Sequence, residues 1–265
     1  MSNWLLRATN DWLKPIYERL HELLCAQSVL HADETTLQVL HELNRTPQKK
    51  SYMWLYRTSG NTEHPIVLYD YPTSRSGKHP KEFLKGFKGF LHTDSYSGYH
   101  SGLPKEITVV GCWAHVRRKF DEALKILPDK DKVGSGALHG KNLCDRLFKV
   151  ERNFAELSPG ERFKARLKES KPLMKELFEW AAHSDALPKT PFGRAVNYAL
   201  DQRPCWKISC STAASNCPTT APSAPSSLLS SAAKTGCSAI HRTAPRPAPP
   251  STASSKPPKK RRYSV

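Results

Sequence analysis

The sequence predicts a mixed α/β fold: a five-stranded sheet with flanking helices, then a helical stretch, then a tail of different composition. Three observations carry this. Five short β-branched or aromatic runs lie between residues 28 and 113, separated by turn-forming spacers. The first three follow one another directly, which suits an antiparallel meander, and the last two arrive through helical or brief links, which suits parallel neighbours. From 138 to 203 the apolar residues recur only at helical spacing, broken at 158–160 and 184–191.

Taken in order, residues 3–24 read as an amphipathic helix with Leu5, Ala8, Trp12, Leu13, Ile16, Leu20 and Leu23 on one face. A helix this apolar implies a partner surface. The strand runs are 28–40 around Asp33, 51–58 (SYMWLYRT), 65–71 (PIVLYDY), 89–94 (GFLHTD) and 107–113 (ITVVGCW). A short helix over 80–88 turns Phe83, Leu84 and Phe87 to one side. A clear helix over 114–127 directs Val116, Phe120, Ala123, Leu124 and Leu127 inward.

The chain of 265 residues carries a formal charge of +17, divided as +8 over residues 1–204 and +9 over the rest. Such a balance points to a polyanionic partner, usually nucleic acid. Cys25, Cys112 and Cys144 show no paired spacing, so a reducing compartment is expected rather than a disulfide framework. No apolar run reaches the length of a membrane span, and the N-terminus lacks the pattern of a secretory signal.

Two carboxylates stand out by position. Asp33 interrupts a run that otherwise suits burial, and Asp94 closes the fourth run at the turn TDSYSGY. A buried carboxylate is costly unless paired or metal-bound. With the first and fourth strands adjacent, the two side chains meet at one sheet edge, where oxygen ligands suit Mg²⁺ or Mn²⁺. Two such ions about 3.5–4 Å apart would serve phosphodiester chemistry. Turn capping by each Asp is the alternative, and Glu34 and Asp70 compete for the same role. Cys112-x-x-His115 forms at most half of a zinc site. Arg117 and Arg118, with Arg75, Lys78 and Lys81 in the segment SRSGKHPKEF, are candidate phosphate contacts or simply solvated cations. That segment matches no phosphate-loop motif.

Together, HADETTLQVLHE (31–42), SYMWLYRT (51–58), PIVLYDYPTSRSGKHPKEFLKGFKGFLHTDSYSGY (65–99) and VGCWAHVRRKFDEAL (110–124) resemble the central domain of IS66-family insertion-sequence transposases. The resemblance covers roughly residues 1–204, and the motifs are specific as a set. It implies a ribonuclease H-like fold and a DDE site of two Asp and one Glu holding two Mg²⁺ for DNA cleavage and strand transfer. Asp33 in HADET then corresponds to the first carboxylate and Asp94 in HTDSYSGY to the second. The implied partners are the DNA ends of the mobile element and further transposase copies, in a bacterial cytoplasm near the nucleoid. The implied boundaries are an N-terminal helix (1–27), a catalytic core (28–127), a helical insertion (128–204) and a tail (205–265).

The third carboxylate has no counterpart. After Asp201 there is no Asp or Glu, and residues 205–265 hold 19 Ser and Thr, 9 Pro and 9 Lys and Arg. Such a segment is expected to be disordered, since it cannot bury enough apolar surface to offset chain entropy. If codons for Ser211 to Ser238 are chosen freely and read one base earlier, they can spell LDGRLELSNNRAERAIKPFVIGRKNWLF. That is the sequence the family implies at this point, with the missing Glu codon overlapping Ser223. A reading-frame slip near Arg203 to Trp206 is therefore expected, and the basic cluster KPPKKRR (256–262) is read as accidental. The same resemblance implies that this chain is a fragment with a defective site. Alternatives are a non-catalytic basic DNA-binding protein, a partner that poisons intact transposase, or a small zinc module at Cys112 and His115.

Overall fold

The computed structural model describes residues 3–205, apart from 43, 60, 61, 95 and 101. The expectations for the tail (its disorder, the reading-frame slip and the cluster at 256–262) lie outside the described residues.

Strands β1 (Val29–Gln38), β2 (Lys50–Thr58), β3 (Val67–Asp70), β4 (Gly89–Thr93) and β5 (Ile107–Gly111) form one sheet in the order β3-β2-β1-β4-β5. β1 pairs antiparallel with β2, and β2 with β3. β4 runs parallel to β1 and β5 parallel to β4. The meander and its parallel extension are as expected, and the arrangement is consistent with a ribonuclease H-like fold. Period-two alternation sends Leu30 and Ala32 of β1, Trp54 and Tyr56 of β2, and Leu91 of β4 into one core. Leu24 of α2 (Lys14–Cys25) and Leu84 and Phe87, which follow α3 (Lys78–Phe83), join that core.

The N-terminal helix is not one regular helix. It runs as α1 (Asn3–Arg7), a π-helical segment Ala8–Leu13, and then α2. Pro15 stands in the first turn of α2. A proline ring lacks the N–H and clashes with the carbonyl four residues back, and a wider turn relieves this. The same device recurs at Arg166–Ser170, just before Pro172. Within the regular α2 the inward face runs through Tyr17, Leu20 and Leu24, offset by one residue from the face through Ile16, Leu20 and Leu23 read from the sequence. Leu24 is buried, and Tyr17 and Leu20 pack against the core, whereas Leu5, Trp12, Leu13, Ile16 and Leu23 are exposed.

α3 begins two residues earlier and ends sooner than expected. The chain then turns at Gly86 (φ 90°) before entering β4. A short helix, α4 (Ser97–His100), absent from the sequence reading, buries Tyr99. α5 (Trp113–Ile126) follows β5 and presents Trp113, Val116 and Phe120 to a second core. The helices α6 (Asp129–Lys132), α7 (Gly136–Asn153), α8 (Pro159–Ala165), α9 (Lys171–Ala182) and α10 (Pro191–Asp201) come next. Leu143 and Leu147 of α7, Leu177 and Phe178 of α9 and Val196 of α10 close on the α5 side chains. Ser135, Ser158 and Thr190 cap α7, α8 and α10 through their hydroxyls.

Gly89 sets the start of β4. Its φ is 151°, and a Cβ there would sit 2.3 Å from the Ser28 carbonyl oxygen, which is backbone. That oxygen accepts the Phe90 N–H at 2.9 Å, the first bond joining β4 to β1. Gly89→Ala is expected to cost about 2 kcal/mol or more, lowering Tm by roughly 5 °C. Gly86→Ala, with open space around it, should cost clearly less in the same thermal melt. Equal losses would mean that strain alone, and not the β1–β4 contact, sets the requirement.

Candidate active site

The parallel ladder of β1 and β4 registers Val29 with Phe90, Leu30 with Leu91 and His31 with His92. Two residues further along both strands, the same register reaches Asp33 and Asp94. Alternation puts Asp33 on the face opposite the Leu30–Ala32 core, together with His31. The His31 and His92 rings stack there with centroids 4.7 Å apart. Each strand therefore carries His-x-Asp, with the imidazoles one pleat below the carboxylates.

Asp33 is half-buried, and its Oδ1 accepts the Glu34 N–H at 2.9 Å. Burial, and then the charge of Asp94, push its pKa up to about 6, while Arg118 and Arg75 oppose that rise. Asp94 lies one residue past the end of β4. Its Oδ1 accepts the Tyr96 N–H at 2.9 Å, and its Oδ2 stands 3.7 Å from Nη2 of Arg75. The two imidazoles beneath are held neutral. Burial, with His92 and Arg57 nearby, holds His31 well below its usual range. Burial, with Arg166 and Arg57, pushes His92 down to about 3. At the start of α5, burial and Arg118 lower His115 to about 4, and neither of its buried ring nitrogens has a hydrogen-bond partner.

The other predicted residues divide. Lys78 and Lys81 are exposed on α3, and Arg118 is exposed on α5. Arg118 pairs loosely with Glu122 at 3.9 Å, yet lies close enough to act on both Asp33 and His115. Arg117 is turned away to Asp145, which also takes Lys141 at 3.2 Å. Arg75 binds Glu34 as well as approaching Asp94. Of the competing acids, Asp70 interacts with His79 and the Tyr71 N–H, and Glu34 faces Arg75 and Tyr99. Cys112 precedes α5, its thiol raised by burial, and its carbonyl accepts the His115 N–H at 3.1 Å.

Asp33 and Asp94 offer oxygen donors, the type magnesium takes, and each has one oxygen oriented by a backbone N–H. Burial and then the charge of Asp94 raise Asp33, and a cation would relieve both. The pair fits a divalent ion held by two carboxylates with water or phosphate completing its shell. Among the described residues no group of three or more His, Cys, Asp or Glu is placed to hold a metal. This holds for Cys112 and His115 as well as for the carboxylates.

Sequence reasoning missed His31, His92 and Arg57 as the floor of this pair. A signal for the histidines was available: HAD at 31–33 and HTD at 92–94 repeat one spacing in two strands expected to be parallel. Arg57 carries no such signal, because its proximity to Asp33 depends on pairing with His31 across β1 and β2.

The family model described as "Transposase IS66 family" matches residues 1–207. Among curated proteins, "Uncharacterized protein y4hP" of Sinorhizobium fredii is 31% identical over 193 residues, covering 66% of this chain and 34% of that protein. "Uncharacterized protein y4jD" of the same organism is 28% identical over 202 residues, covering 71% of this chain and 38% of the relative. The chain thus spans about a third of the length of the curated relatives it matches. No solved structure matches. Among the described residues no helix is long and apolar enough to cross a membrane.

Proposed function

Since this chain belongs to the IS66 transposase family, we propose that it is built for DNA phosphodiester cleavage and strand transfer, with Asp33 and Asp94 as ligands of Mg²⁺ or Mn²⁺. The observation that carries this reading is the aspartate pair: the parallel register of β1 and β4 leads to Asp33 and, one residue past the end of β4, to Asp94, and burial together with the Asp94 charge raises the pKa of Asp33. A bound divalent ion would supply charge stabilisation and an activated oxygen for attack on a phosphodiester. The protein's own contribution is to hold the two carboxylates near each other against their repulsion, Asp33 within the central strand β1 and Asp94 just past the end of β4. The buried imidazoles of His31 and His92 add no charge beneath them, whereas Arg57 beside them places a cation near Asp33. Lys78, Lys81 and Arg118 serve as phosphate contacts, which position DNA without reading its sequence.

The described residues supply two carboxylates, and the sequence has no Asp or Glu after Asp201. Loss of a partner that merely orients a metal ligand costs roughly 10- to 100-fold, and a missing ligand should cost more. The chain by itself is therefore proposed to be nearly inactive. In a Mg²⁺-dependent nicking and strand-transfer assay on duplex DNA, turnover should stay at background. Robust turnover that Asp33→Asn abolishes would overturn the proposed defect, though not the site.

A second reading, a DNA-binding protein or co-assembling partner without catalysis, is favoured by the formal charge of +17. It predicts binding whose affinity falls steeply with salt and is unchanged by Asp33→Asn. Replacing Lys78, Lys81 and Arg118 together with glutamine should reduce the slope of log K against log salt by about 3. An unchanged slope would remove these three cations from the interface.

A further inference from the structure

Asp94 stands beyond the last β4 ladder residue, so the sheet alone does not fix its direction. What fixes it is on the opposite face. Glu34, next to Asp33 in β1, points away from it by strand alternation, and its side chain is only 2% exposed. Its Oε1 accepts Nε of Arg75 at 2.9 Å and also Nη2, and its Oε2 accepts the Tyr99 hydroxyl at 2.8 Å. The same Arg75 Nη2 lies 3.7 Å from Asp94 Oδ2. Its guanidinium sits over the Tyr96 ring, 3.9 Å from the centroid, and its carbonyl accepts the Tyr96 hydroxyl. Tyr96 in turn donates its N–H to Asp94 Oδ1.

The backbones are locked together as well. A Cβ on Gly77 would lie 2.6 Å from the Gly98 carbonyl oxygen, so residues 75–77 and 96–99 touch where a side chain would intervene. Tyr96 and Tyr99 pack edge to face, and both contact Trp54 of β2. Glu34, Arg75, Tyr96 and Tyr99 thus form a rivet from the centre of β1 to the segment that carries Asp94.

We propose that Glu34, acting through Arg75, is the positioning residue that holds Asp94 in register with Asp33, and that Arg75 serves this site rather than DNA. The dipeptide Asp33-Glu34 then has a divided role: one side chain enters the ion site, and the next fixes the partner carboxylate from the other side of the sheet. In metal sites, losing a group that orients a ligand typically costs about 10- to 100-fold in affinity. Arg75 also supplies a positive charge to Asp94, so its removal acts on the carboxylate both sterically and electrostatically.

This inference rests on the metal reading above, and two measurements on the full chain separate them. The first is Mn²⁺ binding by calorimetry for wild type, Asp33→Asn, Glu34→Gln, Arg75→Gln and the Glu34→Gln/Arg75→Gln double variant. The second is amide hydrogen exchange at residues 94–99, in chelator and below the melting range of every variant. Glu34→Gln should weaken Mn²⁺ binding by about 10- to 100-fold. It should also speed exchange at Tyr96 and Tyr99 while β4 itself stays protected. The double variant should be no worse than the more damaged single variant, because the two residues act in series. Unchanged exchange at 94–99 in Glu34→Gln overturns the proposal. So does unchanged Mn²⁺ affinity where wild-type binding is lost in Asp33→Asn. If wild-type binding is indifferent to Asp33→Asn, the metal reading falls, and the exchange result alone decides for or against the rivet.

Discussion

Asp33→Asn is expected to make the chain more stable in chelator and insensitive to magnesium. Burial and Asp94 raise the Asp33 pKa to about 6, above its value near 3.9 in the unfolded chain. The native state therefore binds this proton more tightly than the unfolded state does. Between about pH 4 and pH 6 the wild-type protein loses stability as pH rises, and above pH 6 the full penalty of roughly 2–3 kcal/mol remains. Asparagine keeps an oxygen to accept the Glu34 N–H and carries no charge. At pH 8 in chelator the variant should melt several degrees above wild type, and at pH 5 the gap should shrink. Magnesium should reverse the order if it binds this pair as proposed, because an ion that binds only the folded state adds about 2.7 kcal/mol at one hundred times its Kd. Only wild type should gain. A variant that melts below wild type in chelator at pH 8 would refute the claim that Asp33 is held ionised at a cost.

The largest loss of stability is expected from Glu151→Ala in α7. Glu151 and Arg166 are a buried ion pair whose side chains are only 5% and 6% exposed. Arg166 donates Nε and Nη2 to Glu151 Oε2 at 3.0 and 2.9 Å, and the Ser170 hydroxyl donates to Oε1 at 2.8 Å. Removing the carboxylate leaves a buried guanidinium without its principal counter-charge, which costs about 3–5 kcal/mol. Tm should fall by on the order of 10 °C in thermal denaturation. The double variant Glu151→Met/Arg166→Met should recover most of that loss, since apolar side chains of similar volume avoid the desolvation of both ions. A double variant as unstable as the single would mean that Arg166's other contacts dominate. Arg166 is close enough to bear on His92, so this helical pair reaches the floor of the aspartate site.

Legibility followed locality. The five strands and the helix after β5 were readable because alternation and helical spacing are properties of neighbouring residues. Asp33 and Asp94 stood out for the same reason: each is an acid at the wrong place in an apolar run. The inward face of the N-terminal helix differs from the one read from sequence, because two overlapping apolar faces share Leu20 and only the packing on the sheet selects the one through Tyr17 and Leu24. α4 was missed because its four residues make barely one turn and offer no repeat of helical spacing.

The cations were least legible. Arg75, Lys78, Lys81, Arg117 and Arg118 look alike in sequence, each a long basic side chain in a basic segment. In the fold, Arg75 goes to Glu34, 41 residues away, and Arg117 to Asp145, 28 residues away, while Lys78, Lys81 and Arg118 remain exposed. Sequence by itself determined the five strands and their order along the chain, the family, and which two aspartates to single out as candidates, because short-range pattern and motif encode them. Only the tertiary structure decided which charges are already paired, what lies beneath the aspartates and what orients Asp94. Those depend on which distant segments the sheet brings within a few ångströms, where Coulomb and hydrogen-bond energies become large.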